Sequence, residues 1–261
     1  MRALLAVATA LLLAACAPLP AAQPEPNAPT RLRPHVLEKI PHDTAAFTEG
    51  LEIDNGVLYE GTGLKGRSDL RATDPETGHV TRTTALPRQM FGEGITVVGD
   101  VIWQLTWQNG IAIKRDRATF AETGRATYNG EGWGLCHDGR RLVMSNGTAR
   151  LTFRDPATFA ETGHTEVTDA DGRPVPLLNE LECAGGAVYA NVWKTDRIVR
   201  IDPGAGKVTA TVDLTGLLPA ADRAEADVLN GIAAVPGTDE FLVTGKLWPT
   251  MFRVRFVTDG D

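Results

Sequence analysis

The chain is poor in the side chains on which metal and nucleophile chemistry depends. It holds three Cys and five His among 261 residues. His35, His42, His79, His137 and His164 are scattered, with no His-x-x-x-His or Cys-x-x-Cys spacing, which argues against a zinc site. No Gly-x-Ser-x-Gly elbow and no Gly-rich phosphate loop is present. Basic excess is also missing. The net charge is −7, which argues against a nucleic-acid partner. Sustained helical periodicity is absent beyond the first residues, so a helical fold is excluded. Aromatic residues are few, and all five Trp lie after position 100.

The N-terminus reads as a processing signal. Arg2 precedes an almost wholly apolar stretch from Ala3 to Ala14, closed by Leu13-Ala14-Ala15-Cys16. This is too short for a permanent membrane-spanning helix. Its ending resembles a bacterial lipobox, in which Cys16 is lipidated and becomes the first mature residue. An ordinary signal peptide with an incidental Cys is the alternative. Residues 1–15 are therefore expected to be a lipoprotein signal peptide, 16–35 a Pro/Ala-rich tether and 36–261 the folded domain. The protein is expected to be exported, anchored to a membrane by lipid, and to face the periplasm or cell exterior. That compartment permits a bond between Cys136 and Cys183, although two buried small hydrophobes remain the other reading.

Repeats decide the architecture. A short motif recurs as Glu49-Gly50-Leu51, Glu93-Gly94-Ile95, Glu131-Gly132-Trp133, Asn179-Glu180-Leu181 and Asn230-Gly231-Ile232, with leading residues 38 to 51 positions apart. Between these copies lie turn clusters, two of them nearly identical: Ala118 to Gly124 and Ala157 to Gly163. Short strand-like runs flank each turn. The pattern predicts an all-β, five-bladed propeller, one four-stranded sheet per repeat. A two-sheet sandwich would not need this repeat.

Innermost strands of a propeller face one axis. If the motif opens that strand, its leading residues converge. Buried polar side chains in that position are either satisfied structurally, capping strand ends and holding water, or functional. The Trp residues favour function. Trp107 and Trp193 each follow a motif's leading residue by 14 positions, and Trp133 lies inside a motif. Packing between blades is the plain alternative. Aromatic walls with a few converging polar groups describe a small-ligand site.

The motifs Pro41-His42-Asp43, Phe47-Thr48-Glu49-Gly50-Leu51, Phe91-Gly92-Glu93-Gly94-Ile95, Leu105-Thr106-Trp107, Glu131-Gly132-Trp133-Gly134, Leu178-Asn179-Glu180-Leu181, Ala190-Asn191-Val192-Trp193, Leu229-Asn230-Gly231-Ile232 and Thr244-Gly245-Lys246-Leu247-Trp248 stand in order along the chain. Together they resemble the plant/bacterial-type glutaminyl-peptide cyclotransferases. The resemblance implies a five-bladed propeller and an intramolecular acyl transfer. The free α-amine of a peptide's N-terminal glutamine attacks its own γ-carboxamide, ammonia leaves, and pyroglutamate remains. It implies Glu93, Asn179 and Lys246 as catalytic residues, Glu93 shuttling the proton. It implies Phe47, Glu49, Phe91, Trp107, Trp133 and Trp193 around the substrate. No metal and no other cofactor is implied, and a monomer is expected. One departure stands out: the family usually has Gln where this chain has Glu49. An added carboxylate there would alter substrate preference or raise the pKa of Glu93 by like-charge repulsion.

Two other functions fit parts of the pattern. A non-catalytic lipoprotein propeller that binds peptide or polymer would share the fold and the aromatic mouth, but has no need for Glu93, Asn179 and Lys246 from three repeats. A metal-dependent hydrolase propeller would use carboxylates such as Glu49, Glu93 and Glu131 around a divalent ion.

Overall fold

A computed structural model describes residues 28–258. The expected signal peptide, Cys16 and most of the expected tether lie outside the described residues. Within them the chain is all-β, with twenty strands, a single 3-10 turn at Ala220–Asp222 and no α-helix.

After β1 (Thr30–Pro41) the chain runs through antiparallel meanders. The first is β2 (Thr48–Asp54), β3 (Val57–Thr62), β4 (Asp69–Thr73) and β5 (Val80–Ala85). The second is β6 (Gly92–Val98), β7 (Val101–Thr106), β8 (Ile111–Asp116) and β9 (Glu122–Thr127). The third is β10 (Leu135–His137), β11 (Leu142–Met144), β12 (Arg150–Arg154) and β13 (Glu161–Glu166). Next come β14 (Leu178–Ala184), β15 (Ala187–Val192), β16 (Arg197–Asp202) and β17 (Lys207–Asp213), then β18 (Leu229–Ala234), β19 (Glu240–Gly245) and β20 (Thr250–Thr258). The first three meanders are separate four-stranded sheets, and the remaining strands form one eight-stranded sheet ordered β14-β15-β16-β17-β1-β20-β19-β18. Its halves meet only where Thr30–Leu32 of β1 run parallel to Ala210–Val212 of β17. β1 pairs antiparallel with β20 along its length, so the chain's first strand completes its last meander. Strand structure begins at Thr30, ahead of the expected domain start at 36, because Arg31–His35 pair with the two neighbouring strands.

Burial falls from the first strand of a meander to the last. β6 is buried on both faces, whereas β9 is mostly exposed. β17 alternates, with Val208, Ala210 and Val212 inward and Lys207 and Asp213 outward. The first strands pack against one another in a closed cycle, β2 on β6, β6 on β10, β10 on β14, β14 on β18, and β18 back on β2. The apolar core is divided accordingly. Tyr59, Ile95 and Phe120 fill the space between the first two sheets. Trp103, Leu135 and Phe159 fill the next, and Phe153, Leu181 and Val199 the one after. Ile198, Ile232 and Phe252 follow, and Ile40, Leu51 and Leu242 close the cycle. Cys136 of β10 and Cys183 of β14 form a disulfide, tying two inner strands together.

The two near-identical segments fold alike. The carboxylates of Asp116 and Asp155 accept the backbone N–H of Thr119 and Thr158, each at 2.8 Å. Phe120 and Phe159 then adopt φ of 63° and 64° and enter the core. These turns lie between the outer strands, away from the cavity described next.

Candidate active site

Four of the five motifs work by the same local device. In β2, β6, β14 and β18 the strand register breaks at the motif, between Thr48 and Gly50, Gly92 and Ile95, Leu178 and Leu181, and Leu229 and Ile232. A bulge there re-aims one side chain out of the pleat, and the side chains concerned are Glu49, Glu93, Asn179 and Asn230. Gly94 permits the crowding this requires. A Cβ at that position would lie 2.6 Å from the Trp133 carbonyl oxygen of the next inner segment.

Three of these side chains, Glu49, Glu93 and Asn179, line a cavity of about 360 Å³ at one end of the ring of inner strands. All nine residues expected around the reaction are in its wall: Phe47, Glu49, Phe91, Glu93, Trp107, Trp133, Asn179, Trp193 and Lys246. Trp107 and Trp193 follow β7 and β15 by one residue each, which is why their offset from the motif is the same. Lys246 holds the corresponding place after β19. The rings contact edge to face, Phe47 on Phe91 at 6.1 Å, Phe91 on Trp107 at 5.6 Å, and Trp133 on Trp193 at 5.3 Å between centroids. The Lys246 ammonium lies 4.6 Å from the Phe47 centroid, and that of Lys194 lies 4.2 Å from Trp193.

Polar contacts fix the floor. Lys246 Nζ donates to Glu49 Oε1 at 2.6 Å. Asn230 Nδ2 donates to Glu49 Oε2 at 3.1 Å and to the Thr48 carbonyl at 2.9 Å. Glu49 and Glu93 stand on the adjacent inner strands β2 and β6, and the charge of one acts on the other. Burial, then the neighbouring Glu49 charge, pushes Glu93 well above the ordinary carboxyl range, against the pull of Lys246. Burial likewise raises Glu49, to about 7, opposed by Lys246. Behind the floor, His42 bonds Glu60 through Nε2 at 3.1 Å and the Trp248 carbonyl through Nδ1 at 2.8 Å. That pair braces the segment carrying Lys246.

Glu131 does not take the place expected of it. It precedes β10 instead of opening it, and is half-buried at the cavity's edge. Its Oε2 accepts the indole N–H of Trp107 at 2.8 Å and of Trp133 at 2.9 Å, and Gln108 donates to Oε1 at 3.0 Å. Burial works against its ionisation, but these three hydrogen bonds outweigh it and hold the carboxyl below its usual pKa. The trio Glu49, Glu93 and Glu131 is thus not gathered around one point. Among the described residues no group of three His, Cys, Asp or Glu is arranged to hold a metal ion.

Lys194, Asp227 and Val228 also line the cavity and were not foreseen. Val228 immediately precedes β18, as Phe47 precedes β2 and Phe91 precedes β6. Aligning the residues just ahead of each motif would have found it. Lys194 adjoins Trp193, and Asp227 carries no motif signal.

A family profile described as Glutamine cyclotransferase matches residues 6–256. A glutaminyl-peptide cyclotransferase of Arabidopsis thaliana is 37% identical over 226 residues, 84% of this chain and 70% of that protein. The crystal structure of Myxococcus xanthus glutaminyl cyclase superposes with a TM-score of 0.80 at 38% identity, covering 87% of this chain and 98% of that one. The Cps50 (Swd1) β-propeller domain of Myceliophteria thermophila, at 10% identity, covers 86% of this chain and all of that one with a TM-score of 0.51, a likeness of fold alone.

Proposed function

Because the chain belongs to the glutamine cyclotransferase family, we propose that it converts the N-terminal glutamine of peptides or proteins to pyroglutamate with release of ammonia, on a five-bladed propeller. The blade count is supported by the three separate sheets, by the eight-stranded sheet whose halves meet over three residue pairs, and by the closed cycle of inner strands. The observation that carries the activity is the cavity in which Glu93, Asn179 and Lys246, from three different meanders, stand inside an aromatic wall. Cyclisation asks for three things. The glutamine side chain must be folded so that its own amine reaches the carbonyl carbon of the γ-carboxamide, and the aromatic faces supply that confinement. Negative charge developing on the carboxamide oxygen needs donors, and the Asn179 amide and the Lys246 ammonium are those available. A proton must travel from the attacking amine to the leaving nitrogen, and Glu93 carries it.

The test is ammonia release from a glutaminyl dipeptide, with and without chelator. Release that survives EDTA is expected. No release, or release abolished by EDTA and restored by zinc or calcium, would retire the metal-free reading in favour of binding or of metal-assisted hydrolysis. We also read the chain as a monomer acting without a nucleic-acid partner, and as a lipoprotein anchored through Cys16 that faces the periplasm or cell exterior. Mass spectrometry of protein from its own host should find an acylated Cys16 at the N-terminus, and an unacylated N-terminus elsewhere would refute the anchor.

A further inference from the structure

The cavity continues sideways. A second cavity, of about 420 Å³, adjoins it, and the two share Lys194, Asp227 and Val228 in their walls. It lies between the turn after β15 and the connection 214–228, the longest between successive meanders. Connections of this length in a compact domain are commonly functional. This one is built firmly in place. Leu214, Leu217 and Leu218 are buried, and the Leu214 N–H donates to the Asp196 carbonyl at 2.8 Å. Arg223 Nε donates to the Leu218 carbonyl at 3.2 Å, and its guanidinium meets the Asp196 carboxylate at 3.6 Å. At the other end the Asp227 N–H donates to the Lys246 carbonyl at 2.9 Å, and the Lys246 N–H to the Val228 carbonyl at 3.0 Å. One connection therefore walls the second cavity and positions Lys246 in the first. Leu218, Ala226, Leu229 and Trp248 supply the second cavity's apolar lining.

Lys194 marks the passage between the two. Its turn is closed by the Thr195 N–H, which donates to the Val192 carbonyl at 3.1 Å, and Lys194 itself takes φ of 62°. Leu64 and Leu247, each also two residues past the second strand of its meander, take φ of 79° and 60°. The left-handed turn thus recurs with the meanders and does not need a lysine. What is particular to Lys194 is a charge at the junction. The residue is exposed, its ammonium lies against the Trp193 ring, and among the described residues it pairs with no carboxylate.

We propose, on the cyclotransferase reading above, that the chain following the substrate's N-terminal glutamine lies in the second cavity, and that Lys194 at its entrance favours a carboxylate side chain directly behind the glutamine. Cyclisation involves only the first residue, which the aromatic cavity confines. The rest of the peptide has to leave, and the shared wall is where one cavity leads into another. Contacts so far from the reacting atoms are alike in the ground and transition states, so they act on KM and not on kcat. Asp227 at the same junction opposes an acidic residue, which keeps the preference small.

The test is ammonia release from Gln-Ala amide, Gln-Ala-Ala-Ala amide, Gln-Glu-Ala-Ala amide and Gln-Lys-Ala-Ala amide, the amides removing the terminal carboxylate. KM should be about two- to tenfold lower for Gln-Ala-Ala-Ala amide than for Gln-Ala amide, the scale of one added net hydrogen bond, with kcat held. In kcat/KM, Gln-Glu-Ala-Ala amide should exceed Gln-Lys-Ala-Ala amide by about two- to tenfold, since an exposed ammonium attracts one and repels the other. Lys194→Leu places at this turn the residue that two other turns already carry, and should erase that preference. Lys194→Glu should invert it. A lysine that only packed on Trp193 would, when replaced, lower all four substrates alike and leave the preference in place, and that result overturns the proposal. Equal KM for the short and long peptides in the wild type overturns it too. Position is read without turnover, by photocrosslinking a glutaminyl tetrapeptide amide with benzoylphenylalanine as its third residue. Crosslinks should map to residues 214–229, and crosslinks confined to Gln108 and Glu131 would place the peptide elsewhere and refute the inference. If even Gln-Ala amide releases no ammonia, the cyclotransferase reading fails instead, and the crosslinks decide whether a peptide occupies the second cavity.

Discussion

The mouth of the ring of inner strands and its interior are both rich in carboxyl groups, and they satisfy them by different means. At the mouth the partners are side chains: Lys246 and Asn230 for Glu49, and two indoles and Gln108 for Glu131. In the interior the partners are backbone amides of neighbouring strands. Glu180 of β14 accepts the N–H of Leu51 in β2 at 3.2 Å and of Ile232 in β18 at 2.9 Å. Glu182 accepts from Ala234 at 3.2 Å, and Glu52 from Val97 at 3.1 Å. A backbone amide has one position, so an interior carboxyl acts as a staple between sheets. A side-chain donor can turn to a substrate. The same residue type therefore holds the fold together in one region and is available for chemistry in the other.

The sharpest way to break this comparison is to exchange one carboxyl for its amide at the mouth. Glu93→Gln preserves size but cannot take up a proton at neutral pH. Turnover should fall about a hundred- to ten-thousand-fold. The melting temperature should stay where it is or rise, since the exchange removes a buried acid and no backbone staple. Near wild-type kinetics at an unchanged melting temperature would show that the wrong carboxyl, or the wrong chemistry, has been assigned.

An interior substitution should do the reverse. Glu180→Ala leaves the Leu51 and Ile232 amides without their acceptor, at about 1–3 kcal/mol for each donor. Equilibrium unfolding should show that loss, while kcat/KM of the folded fraction is kept. The pH dependence has a definite sign. Burial raises the folded-state pKa of Glu180 well above the usual carboxyl value, so the folded protein binds its proton more tightly than the unfolded chain. The associated stability is fully present below the ordinary carboxyl pKa and is lost as pH rises through the raised one. Glu182 is raised in the same way, and Glu52 to about 7, burial being the largest cause in each. Stability should therefore decline as pH rises through and beyond neutrality, and Glu180→Gln should flatten that decline. A wild type that gains stability over that range would contradict the staple reading.

How much of this the sequence carried depends on how local each feature is. Turn chemistry and strand alternation are local, so the repeats and the second strand of each meander were readable. Three of the cavity's polar residues were also readable, because Glu49, Glu93 and Asn179 sit at one repeated bulge. Glu131 misled because a repeat gives residue order and not strand limits. β10 is only three residues long and starts after Trp133, so the third copy of the motif lies in the approach to the strand. The stapling carboxyls were missed for another reason. Glu180 occupies a place that the first three copies fill with Gly50, Gly94 and Gly132, and its partners are 129 and 52 residues away. No spacing rule reaches that far. The role of β1 was missed similarly, since a Pro-containing stretch beside a tether gives no sign that its partners are β17 and β20.

The smallest expected effect comes from the mouth carboxyl that does not meet the reacting centre. Glu131 gathers Trp107 and Trp133 on one oxygen and Gln108 on the other. Glu131→Gln can keep the indole contacts through its amide oxygen, while its NH₂ group can donate to a turned Gln108 amide. What is lost is the charge on the acceptor, at a half-exposed position. A net loss of about 0.5–1.5 kcal/mol is reasonable for such a bond, which corresponds to about two- to tenfold at about 1.4 kcal/mol per decade. The indoles belong to the wall and not to the reacting groups, so the loss should appear in KM while kcat holds. Measured beside Glu93→Gln with the same dipeptide, this variant separates wall from chemistry. If Glu131→Gln loses kcat as heavily as Glu93→Gln, Glu131 takes part in the proton transfer, and the division of the mouth into reacting groups and an aromatic wall fails.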